Sequence, residues 1–510
     1  MGSDRPRGWT TARRRGTGLL LTVLLGACAT ATPPPHQEER TEGHATKKAK
    51  PDPRRISTSI VSVIVNRRGY DWSTPWSMQR PWTNWMTGLV LEGKRILVAG
   101  GSLGDTTLVE VQKMGKPKRY RAHLELVDYE IPLGIIAVDD ADFWTDLVPL
   151  PLAAELPRDG NVTIHRWISS GQLEDARGKI RQVTVTDHWP ARTQVLSLDI
   201  SAGIENAGFS EVVLYRDQVI GLSTVKNESR LYAIGSPVIR DFLDDVSHPP
   251  YRGLARGGFN WESTTNGALR RLLGLSDTEG GILVTRLLPQ GSAASGLKEG
   301  DVVLEEDGHK LDSVGQFEHP RYGRLPSSLL YTEHKHPGDK VKLKVLRGGQ
   351  RVEAEITLKR MAPEEDRVVP YRFDRRPEYF VKGGLIFQHL SRPYLQIWRD
   401  WWKRAPLRLL IEHDRVGDEP SPEHPRTVVL TRVLADAANL GYHDQTPAII
   451  EAVNGVPAKT LDDVRAGFDK PLNGFHIIEL SAGQGPRRIV LDAAEVEEAE
   501  PRIRKNYGIE

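Results

Sequence analysis

The sequence predicts a mostly β chain built as a string of small domains. Three observations carry this. About 455 residues follow a polar N-terminal stretch, too many for one compact core and enough for about three domains. Between Ile56 and about Asp245, short apolar and β-branched runs recur with turn residues between them: Ile60–Val65, Thr87–Leu91, Arg95–Ala99, Leu108–Val111, Ile135–Val138, Val162–His165, Gln182–Thr186, Gln194–Leu198, Glu211–Tyr215 and Gln218–Ser223. Many short strands so spaced make an antiparallel barrel or sandwich. Further on, glycine-led strands and a Gly348-Gly349 hairpin turn alternate with short helical segments, the pattern of small α+β units.

The N-terminus is a different kind of sequence. Arg5, Arg7 and Arg13-Arg14-Arg15 precede the apolar run Leu19–Leu25, followed by Gly26-Ala27-Cys28. A charged region, a short apolar region and small residues make a secretory signal. The run is far shorter than the about 20 residues that span a bilayer. Leu25-Gly26-Ala27-Cys28 matches the bacterial lipobox, so residues 1–28 are expected to be a lipoprotein signal, with Cys28 the acylated first residue of the mature chain. Ala29 rather than aspartate follows, which points to the outer membrane of a bacterial envelope, facing the periplasm. Cys28 is the only cysteine, so no intramolecular disulfide forms. Residues 29–55 hold no large apolar side chain and are expected to be a disordered tether. Its Lys47, Lys48, Lys50, Arg54 and Arg55 either stay solvated or touch anionic head groups. Lys and Arg number 69 against 67 Asp and Glu, which leaves no electrostatic footprint for nucleic acid.

Inside 56–247, two stretches carry a resemblance. RILVAGGSLGDTTLVEV (Arg95–Val111) and LDISAGIENAGFSEVVLYRDQVIGL (Leu198–Leu222) resemble the trypsin-like domain of the HtrA/Deg family of PDZ-bearing proteases, in particular its plant-type Deg group. The resemblance implies a chymotrypsin-like double β-barrel over 56–247, closed by a helix in Gly235–Asp245. It also implies where the family keeps its chemistry. Where the family has Thr-Asn-Ala-His, this chain has Val98-Ala99-Gly100-Gly101; where it has Asp-Leu-Ala, Pro132-Leu133-Gly134 stands after Val127–Ile131. The nucleophile motif Gly-Asn-Ser-Gly-Gly reads Glu205-Asn206-Ala207-Gly208-Phe209. Base, orienting acid and nucleophile are thus replaced by Gly101, Pro132 and Ala207. A serine hydrolase needs a hydroxyl, an imidazole and an acid that fixes the imidazole tautomer, and these three residues supply none of them. Glu205 stands at the oxyanion-hole glycine, where a Cβ restricts the backbone and a carboxylate opposes an oxyanion. The substrate-side loop has also drifted, to Arg166-Trp167-Ile168-Ser169-Ser170 in place of Tyr-Pro-x-Gly-Gly. A rebuilt triad would have to draw on His165, His188 and Ser210, for which there is no motif.

Other features of this region exclude rather than assign. Gly100–Gly104 follows a strand but lacks the GxGxxG order and the P-loop lysine. His334 and His336 alternate without a further ligand at zinc spacing, so no metal or cofactor is expected. Gly69–Trp85, GYDWSTPWSMQRPWTNW, places four tryptophans in a proline-containing stretch. Either it packs on its own barrel or, as the resemblance implies, it helps to build a homotrimer.

Residues 248–362 resemble a PDZ domain. Gly280–Leu287 is a glycine-led strand, Ser292-Ala293-Ala294 opens a short helix with Ser292 as N-cap, and Leu297–Leu304 with Asp307-Gly308 is the most recognisable stretch. Lys340–Arg347 and Arg351–Leu358 flank the Gly348-Gly349 turn. PDZ domains add a peptide strand to a sheet edge and hold its carboxylate in a nest of backbone N–H groups. The expected peptide site is Glu279, Gly280, Gly281, Ile282, Leu283 and Val284, on the edge of the strand Ile282–Leu287, with Glu279 disfavouring a free carboxylate. Residues 363–510 resemble the second PDZ-like domain of plant-type Deg proteins through Glu378–Phe387, Gly441-Tyr442 and Ala452–Gly455. Between them Pro393–Lys403 is expected to be one helix with Leu395, Trp398 and Trp402 on its buried face.

The functional expectation is a lipid-anchored, catalytically degenerate Deg-like protein. It would bind peptide segments or unfolded proteins as an adaptor, chaperone-like factor or regulator of an active Deg relative in envelope quality control. The alternatives are an active HtrA/Deg-type serine endopeptidase and a structural envelope lipoprotein.

Overall fold

The computed structural model describes residues 53–168, 171–205, 207, 209–227, 229–360, 362–481 and 487–509. The signal region, Cys28 and nearly all of the tether lie outside the described residues. The described chain opens with α1 (Pro53–Ser59). Two closed antiparallel barrels of six strands follow. The first is β1 (Ile60–Arg67), β2 (Trp82–Leu91), β3 (Arg95–Ala99), β4 (Thr106–Gln112), β5 (Arg119–Asp128) and β6 (Leu133–Ala137), in the order β1-β2-β3-β6-β5-β4. The second is β7 (Gly160–Trp167), β8 (Leu173–Thr186), β9 (Val195–Ala202), β10 (Val212–Tyr215), β11 (Gln218–Asn227) and β12 (Arg230–Gly235), in the order β10-β11-β12-β9-β8-β7.

Strand alternation decides which face goes where. In β3, Ile96 and Val98 enter the first barrel's interior beside Val61, Val63 and Val65. Leu97, between them, joins Leu133 and Ile135 in a second cluster that continues into Val195, Val212, Leu222 and Ile234 of the other barrel. Both faces of β3 are therefore buried, which is why these runs read as continuous hydrophobics. Two strands were not legible as such. β5 sets Tyr120, Ala122 and Leu124 inward between Arg119, Arg121, His123 and Glu125, so polar residues mask its period. β12 completes the second barrel between β11 and β9. The closing helix α2 (Ser236–Ser247) carries Pro237 in its first turn and buries Ile239 and Phe242 at the seam between the barrels.

The third unit is a sheet in the order β13-β14-β15-β19-β20: β13 (Phe259–Ser263), β14 (Ile282–Leu287), β15 (Val302–Glu306), β19 (Lys340–Arg347) and β20 (Gln350–Thr357). The short β16 (His309–Lys310) pairs with β15, and β17 (Gln316–His319) with β18 (Gly323–Pro326). Helix α3 (Gly267–Leu273) lies between β13 and β14. The β19–β20 turn has φ of 56° at Gly348 and 80° at Gly349, as a hairpin of that length requires. The core of this unit runs without a break into the second barrel, through Leu329, Leu330 and Tyr331.

The fourth unit is ordered β21-β22-β23-β24-β26-β27: β21 (Tyr379–Lys382), β22 (Leu385–His389), β23 (Val428–Val433), β24 (Ala448–Val453), β26 (Phe475–Leu480) and β27 (Arg488–Asp492), with β25 (Val456–Pro457) beside β24. Helices α7 (Leu461–Phe468) and α8 (Ala493–Tyr507) pack on it. The expected helix Pro393–Lys403 is not one helix. Asp400 takes φ 52° and splits it into α4 (Arg392–Leu395) and α5 (Trp401–Arg404), followed by α6 (Leu407–Val416). Leu395 is buried as expected, whereas Trp402 turns outward and is 58% exposed.

The tryptophan-rich lead-in divides: Trp82 and Trp85 belong to β2 of the first barrel, whereas Trp72 and Trp76 reach the fourth unit. Trp72 joins Leu390, Tyr394 and Leu395 of the fourth unit, and Trp76 meets Tyr379 at 5.9 Å with the rings tilted, while its Nε1 donates to the Tyr507 carbonyl at 3.1 Å. Those two rings are half-buried within the chain, which leaves less exposed aromatic surface for a trimer to cover.

Candidate functional site

The register of β3 against β6, ending at Ala99↔Leu133, sets Gly100 and Gly101 beside Pro132. The Gly100 N–H donates to the Pro132 carbonyl at 2.6 Å. The loop carrying Ala207 reaches in from the second barrel. Ser210, fully buried, accepts from the Ala99 N–H at 2.9 Å, and the Phe209 carbonyl accepts from the Thr87 N–H at 3.3 Å. The buried Glu211 carboxylate fixes the same loop by accepting from the Phe209 N–H at 3.0 Å. The segments bearing Gly101, Pro132 and Ala207 thus converge where the barrels meet, with Glu205 exposed on the same loop.

The space for a side chain at position 101 is taken. A Cβ there would lie 2.6 Å from the Trp189 carbonyl oxygen and 3.3 Å from its ring. The chain joining the third and fourth units crosses the same face. Phe373 covers Gly104 so closely that a Cβ on that glycine would overlap its ring. Phe373 also meets Trp189 at 6.2 Å and Tyr129 at 4.6 Å, while Tyr371 donates to Glu130 at 3.0 Å. Asp105 and Asp374 exchange backbone-to-carboxylate bonds at 2.8 and 2.9 Å. Burial, and then the neighbouring carboxylates, push the Tyr129 and Tyr371 phenols well above their usual range.

His165, His188 and Ser210 are not assembled into a triad. His165 pairs with Asp175 at 2.5 Å and Thr163 at 3.0 Å. His188 is held between Ser197, at 2.8 Å, and Thr224, and burial lowers its pKa to about 4. His334 pairs with Asp241 of α2 at 3.0 Å.

The expected peptide edge is corrected by the sheet. β14 is bonded on both sides, to β13 from Phe259↔Leu287 to Ser263↔Ile282 and to β15 at Ile282↔Val303, so Ile282, Leu283 and Val284 offer no free edge. Glu279, Gly280 and Gly281 belong to a different loop from the one at the open edge. Glu279 is ion-paired with Arg351 and accepts from Ser276; those bonds hold its pKa at about 2. Ser292 does not cap its helix: its hydroxyl donates to the Arg256 carbonyl and accepts from the Lys359 N–H.

β13 is one edge of this sheet, with no strand on its other side among the described residues; β20 is the other edge. Beside β13 lies a groove of about 270 Å³ lined by Arg256, Gly257, Gly258, Phe259, Trp261 and Tyr331, with Asp418 and with Arg192 of the second barrel, ion-paired to Asp366, also on its wall. Gly258 has φ 74° and backs onto Gly291 so tightly that no Cβ fits. Burial, and then the nearby Arg192, lower the pKa of Arg256. Sequence reasoning missed this strand because Asn260, Trp261 and Glu262 stand out to solvent on a short edge. Its signal was Gly257-Gly258 directly before an aromatic. The corresponding edge in the fourth unit, β21, is capped instead: Arg465 of α7 donates to the Tyr379 carbonyl at 3.2 Å and lies 5.4 Å over the Phe380 ring.

Two six-stranded barrels followed by sheets of this order define a chymotrypsin-like, PDZ-bearing protein. Comparison with known proteins agrees: residues 272–358 and 368–510 each match a PDZ domain model. The chain is 26% identical to Protease Do-like 2, chloroplastic, of Arabidopsis thaliana over 88% of its length and 74% of that protein. It is 25% identical to Protease Do-like 4, mitochondrial, of the same plant over 86% of its length and 84% of that protein. Among solved structures it is similar to the HtrA-type protease AlgW with tripeptide, at 18% identity and a TM-score of 0.47 over 61% of this chain and 96% of that one. Its two PDZ domains and its similarity to Do-like proteases support membership of the HtrA/Deg family.

Proposed function

We propose that this chain is a catalytically inactive member of its family that binds extended peptides through its first PDZ domain. The observation that carries the first half is the barrel junction. Gly101, Pro132 and Ala207 meet there with no proton acceptor or attacking atom among their side chains, and Trp189 fills the room a base at 101 would need. The second half rests on β13. Its open edge offers main-chain pairing to an extended segment, and Trp261, Phe259 and Tyr331 offer apolar pockets. Arg256 and Arg192 on the groove wall, beside Asp418 and with Arg192 paired to Asp366, supply positive charge for a terminal carboxylate. Free chain ends are therefore preferred over internal segments, contrary to the expectation built on Glu279. Acylation at Cys28 would hold this module at the envelope membrane, where it acts as an adaptor or holdase for damaged chains or as a regulator of an active relative.

The test is fluorescence polarisation with peptide pairs that differ only in a free or amidated C-terminus. Charge-assisted hydrogen bonds of about 1.5–3 kcal/mol predict roughly tenfold to a hundredfold tighter binding of the free form. Arg256→Gln removes most of that difference. Equal binding of both forms, or none of either, refutes the site. Separately, Cys28→Ser abolishes lipid labelling and moves the protein out of the membrane fraction; unchanged labelling and fractionation would refute the anchor.

A further inference from the structure

We infer that the helical insert between β22 and β23, residues 390–427, is a docking surface for anionic phospholipid. The insert breaks at Asp400, and the break sends apolar side chains outward. Trp402 is 58% exposed, Leu407 70%, Ile411 44% and Ile397 42%. Leu407 and Ile411 stand one turn apart on the same face of α6, and Trp402 lies in α5 just before it. Isolated exposed hydrophobics need no explanation, but four within fifteen residues of one insert are a concentration that does. In the same insert Arg399, Lys403, Arg404, Arg408 and Arg415 are also exposed, against Asp400, Asp414 and Glu423. Asp414 is partly occupied by His413 at 2.8 Å, and Arg408 reaches Ser481 at 2.8 and 2.9 Å.

Charge complementarity selects the occupant. An exposed indole, leucine and isoleucine in one insert with long cationic side chains suit the boundary between acyl chains and negatively charged head groups. The chain outside the described residues fits the same partner. Twenty-four residues separate Cys28 from Pro53, so a bilayer holding an acylated Cys28 can lie no farther from Pro53 than the extended reach of about 80–90 Å. The insert would act as a second membrane contact that sets how the groove beside β13 faces the surface.

The experiment uses the full chain carrying Cys28→Ser, sedimented with vesicles of phosphatidylcholine alone or mixed with phosphatidylglycerol. Binding is expected only to the mixed vesicles. Lys403→Gln combined with Arg404→Gln should weaken it roughly thirtyfold, from about fivefold per cation. Trp402→Ser should weaken it as well, and brominated lipid should quench tryptophan emission less in that variant. These residues are exposed, so unchanged thermal unfolding confirms that folding is intact. Binding that survives both variants, as insertion through Leu19–Leu25 would, overturns the inference. So does a concentration-dependent dimer in light scattering that Trp402→Ser abolishes, because the patch then belongs to a second copy.

Discussion

Gly101→Ala isolates the claim that the old base position has been filled. The added methyl would lie 2.6 Å from the Trp189 carbonyl oxygen, a backbone atom that cannot rotate away. Trp189 is fixed in turn by Phe373 and by the neighbouring His188, which is buried between Ser197 and Thr224. Forcing a methyl into a packed site costs about 1–3 kcal/mol. At about 2–4 °C per kcal/mol for units of this size, the midpoint of thermal unfolding should fall by roughly 2–12 °C. Gly203→Ala is the control, since a Cβ there meets nothing within 4 Å; it should be neutral or slightly stabilising. The assay is differential scanning fluorimetry of both variants beside the parent chain. Equal midpoints for the two variants would refute the reasoning, because position 101 would then have room for an imidazole.

Further outcomes follow from the same packing. Glu306, buried beside Tyr331, has its pKa raised by burial to about 8. The folded state therefore binds its proton more tightly than the unfolded chain, and stability falls as pH rises from about 4.5 toward 8. Glu306→Gln should flatten that fall, by an amount on the order of a few kcal/mol at pH 8, as read from urea unfolding at pH 5 and pH 8; parallel shifts at both would contradict it. Trp76→Ala should lower thermal stability by about 1–3 kcal/mol without changing the mass in light scattering, since Trp76 packs on Tyr379 of its own chain; loss of a trimer would restore an intermolecular role. Glu279→Gln should leave peptide affinity unchanged, because β14 is covered and Glu279 pairs with Arg351; a selective gain for free C-termini would return the site to that loop.

What the sequence revealed and what it hid divide along physical lines. Barrel strands buried on both faces, such as β3 and β6, were plain because nothing polar interrupts them. β5 and β13 were hidden for the opposite reason: each faces water on one side, and charged residues dilute a short pattern. The helix at Pro393–Lys403 was read from apolar spacing, which does not register the left-handed turn at Asp400. Gly101, Pro132 and Ala207 were legible as absences of chemistry, but nothing local to them says what occupies the space. Trp189 lies 88 positions from Gly101 and Phe373 lies 269 from Gly104, so only the folded chain brings them there. Likewise the partners of Trp72 and Trp76 lie more than 300 residues away, where no local pattern points to them.

The central claim is that the barrel junction performs no hydrolysis. The most direct measurement is exposure of the purified chain to a fluorophosphonate probe alongside unfolded casein, with and without the combined Gly101→His, Pro132→Asp and Ala207→Ser reversal. The account predicts no probe adduct and no casein cleavage in the parent chain, and none in the reversal while Trp189 remains seated over position 101. Probe-sensitive cleavage of casein by the parent chain would contradict it.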